Sequence, residues 1–299
     1  MKVLMAVPNV CEGRDPAVID RIVDAVRRTD GVKLIDVSSD VNHNRTVITY
    51  LGAVEPVREA SQRMSLVALD LIDMRVHHGA HPRVGAVDAV PFVPVHDMEM
   101  REAVEVAHAF GRFLGEQGVP VWYYGAAASA PGGPVGSSKL TQQLLGEYEN
   151  LARQVVDEAW PPDEGPRTFD PRHGACTVAA RSHLICFNVN LSTTDLSIAK
   201  RIAKVIRQSS GGYRDVQAMG VELKSRGLVQ VSMMTTRDVD TPLPRLLETV
   251  RFEAARHGVA VVGTEFSGPI PLRALEEVVR HYLQLHEFSV QQIIENALI

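Results

Sequence analysis

Cysteine is scarce in this 299-residue chain: only Cys11, Cys176 and Cys186 occur, with no Cys-x-x-Cys pair. So odd and sparse a set excludes a disulfide framework and reads as reduced thiols, which sets the expected compartment as cytoplasmic. No apolar run approaches the roughly 20 residues of a membrane span, and Pro8 and Asn9 break the apolar opening, so neither membrane association nor a signal peptide is expected. Positive charge is not in excess. The 31 Lys and Arg against 36 Asp and Glu give a net charge of −5, the wrong sign for a protein whose main partner is nucleic acid. No Gly-x-Gly-x-x-Gly follows a strand pattern, which removes the dinucleotide fingerprint, and no Gly-x-Ser-x-Gly elbow occurs. The glycine-rich stretch 131–139 sets two serines between its last glycine and Lys139, and its prolines remove backbone donors, so it reads as a loop and not a phosphate cradle.

What is present is ordinary globular composition, 45% hydrophobic and 22% charged, at a length that suggests about two domains. Residues 2–7 read as a short buried strand ended by Pro8. Asp15 before Pro16 is a cap and first-turn pair, and Val18, Ile19, Ile22, Val23 and Val26 follow at helical spacing. Strands are expected at 32–37 and 46–51 and a helix at 56–74. A strand at 84–95 carries Pro91 and Pro94, which suits an edge or bulged position. A helix at 99–117, a strand at 119–124 and a helix at 141–159 follow. The Pro- and Gly-dense segment 160–174 reads as an ordered connector or linker. Beyond it a strand at 177–191, a helix at 195–208, strands at 215–223 and 228–234, a helix at 242–257 and a strand at 259–266 repeat one element order, with helices at 271–285 and 290–298 closing the chain. The expected fold is α+β, two ferredoxin-like βαββαβ-type subdomains, each an open sheet with helices on one face. The halves are assigned as 1–183 and 184–299, with a ligand expected at their seam.

The densest functional chemistry is the loop His77-His78-Gly79-Ala80-His81-Pro82-Arg83-Val84-Gly85. His81 precedes a proline, which pushes its backbone toward extended geometry and away from a helix. A neutral imidazole near pH 7 both accepts and donates a proton, which suits transfer between two amines. The bland alternative is a solvated turn. A metal site is the weaker reading, since the spacing matches no standard ligand set. A second polar stretch, 38–46, holds Asp40, His43 and Arg45: Arg45 offers a fork for carboxylate, and Asp36 or Asp40 a partner for a cation. An Asx-type turn with a surface arginine explains the same residues.

Islands of sequence along nearly the whole chain carry a resemblance: Val7-Pro8-Asn9 with Glu12-Gly13, Asn44-Arg45-Thr46-Val47, His81-Pro82-Arg83-Val84-Gly85-Ala86-Val87-Asp88, Pro162-Asp163-Glu164-Gly165-Pro166, Phe187-Asn188-Val189-Asn190-Leu191 and Val216-Gln217-Ala218-Met219-Gly220. In these the chain resembles the glutamate formiminotransferases, the amino-terminal part of the formiminotransferase-cyclodeaminases, with the cyclodeaminase part expected to be absent. The resemblance implies a homodimer that moves a formimino group from N-formimino-L-glutamate to N5 of tetrahydrofolate, a co-substrate, in histidine degradation, without a metal. It implies His81 as catalytic residue. It also implies a folate-binding stretch at Gly165, Pro166, Arg167, Thr168, Phe169, Asp170, Pro171, Arg172, His173 and Gly174. The family's animal members carry an acid in an Asp-Val-Asp stretch where this chain reads Asp36-Val37-Ser38, so Asp40 becomes the expected helper, with Asp88 a second candidate. Arg45, Arg83 and Arg181 are the expected partners of the substrate carboxylates. Loop 125–138 lacks the arginines often found there in the family. Alternatives are formyl transfer from N-formylglutamate to tetrahydrofolate, a non-catalytic folate-binding module on the same architecture, and a hydrolase with a metal on His77, His78 and His81.

Overall fold

A computed structural model describes residues 1–128, 138–236 and 240–298 of the chain, so most of loop 125–138 lies outside the described residues. The chain divides into two compact units, Met1–Ser182 and His183–Ile299.

The first unit opens with β1 (Val3–Ala6) and β2 (Asn9–Val10), one line of chain interrupted at Val7 and Pro8. The Asp15 carboxylate accepts hydrogen bonds from the Ala17 and Val18 amides at the start of α1 (Pro16–Arg27), where Pro16 lacks only an N–H that the helix would leave unpaired. Then come β3 (Val32–Asp40), β4 (Arg45–Gly52), α2 (Val54–Leu71), β5 (Val87–His96), α3 (Met100–Glu116), β6 (Val121–Gly125), α4 (Ser138–Leu144), α5 (Glu147–Gln154) and β7 (Cys176–Ala180). The sheet runs β3, β4, β1 with β2, β5, β7, β6. Its first strands pair antiparallel in the expected βαββαβ arrangement, and β7 and β6 extend it in parallel.

In this unit and at its boundary with the next, three elements differ from the sequence reading. The strand expected at 84–95 at an edge is β5, near the sheet's centre. Its prolines are tolerated because Pro91 lies opposite the break between β1 and β2, where its carbonyl accepts the Val7 amide at 3.1 Å, and Pro94 stands beside a register shift. The strand expected at 177–191 is two strands: β7 closes the first sheet, and β8 (Ile185–Leu191) opens the second. Both are apolar runs that local composition joins, and only long-range pairing separates them. The helix expected at 141–159 breaks into α4 and α5 at Gly146, whose φ of 75° is left-handed.

The second unit continues with α6 (Leu196–Ile206), β9 (Val216–Leu223), β10 (Leu228–Thr235), α7 (Leu243–Ala255), β11 (Val261–Ser267) and α8 (Leu272–Leu283). Its antiparallel sheet has the order β11-β8-β10-β9, the second βαββαβ unit. The core gathers Phe187, Val189, Leu191, Val229, Val231 and Met233 from the strands with Ile198, Ile202, Leu246 and Val250 from the helices. The closing helix expected at 290–298 is instead two 3₁₀ turns, Val290–Gln292 and Ile294–Leu298, separated by an extended Ile293. Among the described residues no helix is long and apolar enough to cross a membrane.

Where β5 begins, Gly85 and Gly174 press backbone against backbone. A Cβ on Gly85 would meet the Ala175 carbonyl oxygen at 2.1 Å, and one on Gly174 the Val84 oxygen at 2.3 Å. Gly85→Ala is therefore expected to destabilise the protein by about 3 kcal/mol, read as a melting temperature lower by roughly 5 °C or more. An unchanged melting curve would show that this junction yields freely.

Candidate active site at the His81 loop

The two polar stretches singled out in the sequence are brought together by the turn between β3 and β4. Asn44 takes a φ of 49°, a left-handed conformation that asparagine tolerates better than most residues. Its Oδ1 accepts the Gly13 amide at 3.0 Å, and its Nδ2 donates to the His78 carbonyl at 3.2 Å. The Ala80 amide donates to the Asn42 carbonyl at 3.0 Å. Gly79 lies so close beneath that a Cβ there would meet the His43 carbonyl oxygen at 2.0 Å. Bonded turn and glycine contact together lock the His-rich loop onto the hairpin.

His77 is buried and structural: its Nε2–H donates to the Asn44 carbonyl at 2.8 Å, so Nδ1 is free to accept Arg83 Nε at 3.1 Å. Burial lowers its pKa, consistent with this neutral tautomer. His81 is half-buried. Its Nδ1 lies 2.6 Å from the Pro82 carbonyl, and because a carbonyl only accepts, Nδ1 carries the proton. Nε2 is then an unprotonated lone pair with no hydrogen-bond partner among the described residues. Burial, aided by the positive field of Arg45, pushes the His81 pKa down to about 4.

Asp88, fully buried, anchors the surroundings. Its Oδ2 accepts Arg45 Nε at 2.9 Å and stands 2.6 Å from Nη2 as an ion pair, while Oδ1 accepts the Val84 amide at 2.8 Å. Asp40 closes the β3–β4 turn, with Oδ1 accepting the amides of Asn42 and His43 at 2.8 and 2.7 Å. The His43 bond in particular holds its carboxyl below the usual carboxylate range. Asp40 reaches His81 only through His43: its Oδ2 stands 3.6 Å from His43 Nδ1, and the His43 and His81 rings meet edge to face with centroids 5.6 Å apart.

The other expected residues divide. The Arg83 guanidinium is buried and engaged by Glu149, at 2.7 Å from Nη2, by the His77 carbonyl and by the face of Tyr148. Arg181 stands apart, just past the carboxyl end of β7, with its amide on the Phe92 carbonyl and its side chain on the Ser182 carbonyl. The stretch from Gly165 to Gly174 is ordered and stitched to this unit. Gly165, at a φ of 84°, packs on the Val119 carbonyl, the Met74 amide donates to the Arg172 carbonyl, and the Ala86 amide to that of His173, both at 2.9 Å. Asp170 Oδ1 accepts the Arg172 amide at 2.8 Å, and its Oδ2 stands 2.9 Å from His173 Nδ1. Phe169 packs on Tyr148, and Arg167 and Thr168 are exposed. Sequence reasoning did not find the parts played by His43 and Glu149. The polar 38–46 stretch flagged the first, but no local pattern marks the second. Among the described residues no set of three or more His, Cys, Asp or Glu side chains is placed to hold a metal ion.

Residues 3–181 match the family model of the formiminotransferase domain's N-terminal subdomain, and residues 186–299 that of the formiminotransferase domain. The chain belongs to the formiminotransferase family. It is 40% identical over 300 residues to the glutamate formimidoyltransferase of Streptococcus pyogenes serotype M1, spanning 100% of this chain and 99% of that protein. The corresponding Thermoplasma acidophilum enzyme is 40% identical over 299 residues, spanning 100% of this chain and 98% of its own. The formimidoyltransferase-cyclodeaminase of Sus scrofa is 39% identical over 293 residues, and the match covers 96% of this chain but 53% of that longer protein. Membership of the formiminotransferase family makes this chain an enzyme, a transferase of one-carbon groups.

The buried imidazole gives this formiminotransferase a pH signature. The unfolded chain protonates His81 near 6.5 and the folded chain only near 4, so stability is full above about pH 6.5 and is lost as pH falls toward 4. The contribution of His81 is on the order of 3 kcal/mol. Urea unfolding of wild type beside His81→Ala should show a steeper loss of stability between pH 6.5 and 4 in the wild type. Parallel curves would contradict the burial of this ring in its neutral form.

Proposed function

We propose that the protein transfers the formimino group of N-formimino-L-glutamate to N5 of tetrahydrofolate, giving 5-formiminotetrahydrofolate and L-glutamate, with His81 as the group that moves the proton. The observation that carries this reading is the fixed tautomer of His81, which leaves a basic Nε2 held in a loop of a family whose curated members are glutamate formimidoyltransferases.

The reaction needs little else from the protein. N5 attacks the amidine carbon, a tetrahedral centre forms, and N5 must shed a proton before the glutamate nitrogen can leave with one. A neutral imidazole takes the first proton on Nε2 and returns it to the departing amine. A conjugate acid of pKa near 4 gives that proton up readily. Arg45, aligned by Asp88, is the anchor for a glutamate carboxylate. An anion bound there offsets the cation that helps hold the imidazole pKa down, so the proton affinity of His81 rises once substrate is in place. Asp40, acting through His43, steadies the imidazole ring. Arg83 and Arg181 are more distant candidates for carboxylate contact, the first already paired with Glu149. The Gly165–Gly174 stretch, bonded to the strand that follows the His81 loop, is the proposed folate contact. Holding both substrates together contributes several kcal/mol through lost translational freedom. A role in histidine breakdown, a cytoplasmic setting and a homodimeric state belong to the same reading.

A transfer assay of wild type beside His81→Ala tests it. The variant should lose about 10²-fold or more in kcat while folate affinity stays within about threefold; near-normal turnover would remove His81 from the mechanism. The pH profile gives a second test. The acidic limb of kcat/KM should fall near pH 4, because protonation of free His81 removes the base, and the limb of kcat should lie higher. An acidic limb of kcat/KM near 6.5 would contradict the assignment.

A further inference from the structure

The stretch proposed to contact folate is tied firmly at its two ends and lightly between them. Where it begins, Gly165 packs on the Val119 carbonyl, and the Val121 amide donates to the Glu164 carbonyl at 3.0 Å. Where it ends, the Met74 amide donates to the Arg172 carbonyl at 2.9 Å, Arg172 Nη2 donates to the Asp70 carbonyl at 2.6 Å, and the Ala86 amide donates to the His173 carbonyl at 2.9 Å. Among the described residues, one hydrogen bond reaches positions 166–171 from outside the stretch: the Tyr148 hydroxyl donates to the Pro171 carbonyl. The Tyr148 ring also packs on Phe169, with centroids 5.7 Å apart.

The same tyrosine is anchored to the His81 loop. Its amide donates to the Arg83 carbonyl at 2.7 Å, and the Arg83 guanidinium lies over its ring, 5.8 Å from the centroid. Glu149, the next residue, pairs with that guanidinium at 2.7 Å. The backbone that delivers these contacts is strained. Gly146 and Glu147 are left-handed in succession, with φ of 75° and 61°, and glutamate rarely adopts that conformation. Strain of this kind persists only where the surroundings fix it, and it collects at functional sites. Burial, aided by the carboxylates of Asp73 and Glu149, pushes the Tyr148 pKa up, so the phenol keeps the proton that it donates.

We infer that Tyr148 is a positioning residue for the transfer, setting the folate stretch against the His81 loop through its hydroxyl and its ring. The inference deepens the function proposed above and rests on it for the identity of the ligand. A phenol is rigid, so an amide fixed at Arg83 and a hydroxyl fixed at Pro171 set the separation of the two segments. A misplacement of about 1 Å between reacting groups costs on the order of 10²-fold in rate. Without the hydroxyl, positions 166–171 lose their one bond to the rest of the unit, and the cost of ordering them falls on folate binding.

Two variants of the full chain test this. Tyr148→Phe keeps the ring on Arg83 and Phe169 and deletes the hydrogen bond, while Tyr148→Ala deletes the ring as well. Calorimetry with 5-formyltetrahydrofolate and kinetics with each substrate varied read the effect. Tyr148→Phe should weaken 5-formyltetrahydrofolate, and raise the KM for tetrahydrofolate, by about fivefold or more, while the KM for N-formimino-L-glutamate stays within about twofold. Tyr148→Ala should add a fall in kcat of about tenfold or more. A residue that merely supports the fold would weaken both substrates alike. Equal losses for the two substrates, or wild-type folate constants in Tyr148→Phe beside an active wild type, would overturn the inference and leave the functional reading intact. A wild type that transfers no formimino group to tetrahydrofolate would overturn that reading, and this inference with it.

Discussion

A single buried carboxylate, Asp88, holds the candidate site in register. It takes the guanidinium of Arg45 from the end of one strand and the amide of Val84 from the loop that leads into another. A charge buried this completely survives only when paired and hydrogen-bonded, so the pairing dictates where both segments sit. Removing either partner leaves the other charge buried and uncompensated. Because Arg45 and the His81 loop share this one acceptor, the cation that lowers the pKa of the imidazole cannot move independently of it.

Around that pair the backbone does the positioning. Asn44 in a left-handed turn, Gly79 under the His43 carbonyl, and Gly85 against Gly174 bring three segments to distances that side chains larger than these would block. The result is a ring with one nitrogen committed to a carbonyl and the other open. The loop histidines thus divide their work. His77 is consumed as a structural bridge between the hairpin and Arg83, while His81 keeps a lone pair that the surrounding protein does not use.

Much of this was legible in the sequence where the signal is local. The Asp15-Pro16 helix start, the βαββαβ order and the placement of His81 before a proline all follow from residues that are neighbours in the chain. What escaped depends on long-range pairing. Arg45 and Asp88 are 43 positions apart, and Arg83 and Glu149 are 66 apart; no periodicity announces either pair. The same blindness joined β7 and β8 into one strand, because two buried apolar runs look continuous until each is given its partner. It also sent β5 to an edge, since the tolerance for Pro91 depends on a break in the strand opposite. The resemblance to formiminotransferases, in contrast, rested on many short islands, and the family comparison covers nearly the whole chain.

The central claim is that His81 stands neutral with its proton on Nδ1 and its lone pair on Nε2. Nitrogen NMR of the ¹⁵N-histidine-labelled protein reads tautomer and titration together. The account predicts an Nδ1–H ring titrating near pH 4 in the free enzyme and moving upward when L-glutamate is bound. A ring protonated on Nε2, or one titrating near 6.5 and indifferent to glutamate, would contradict it.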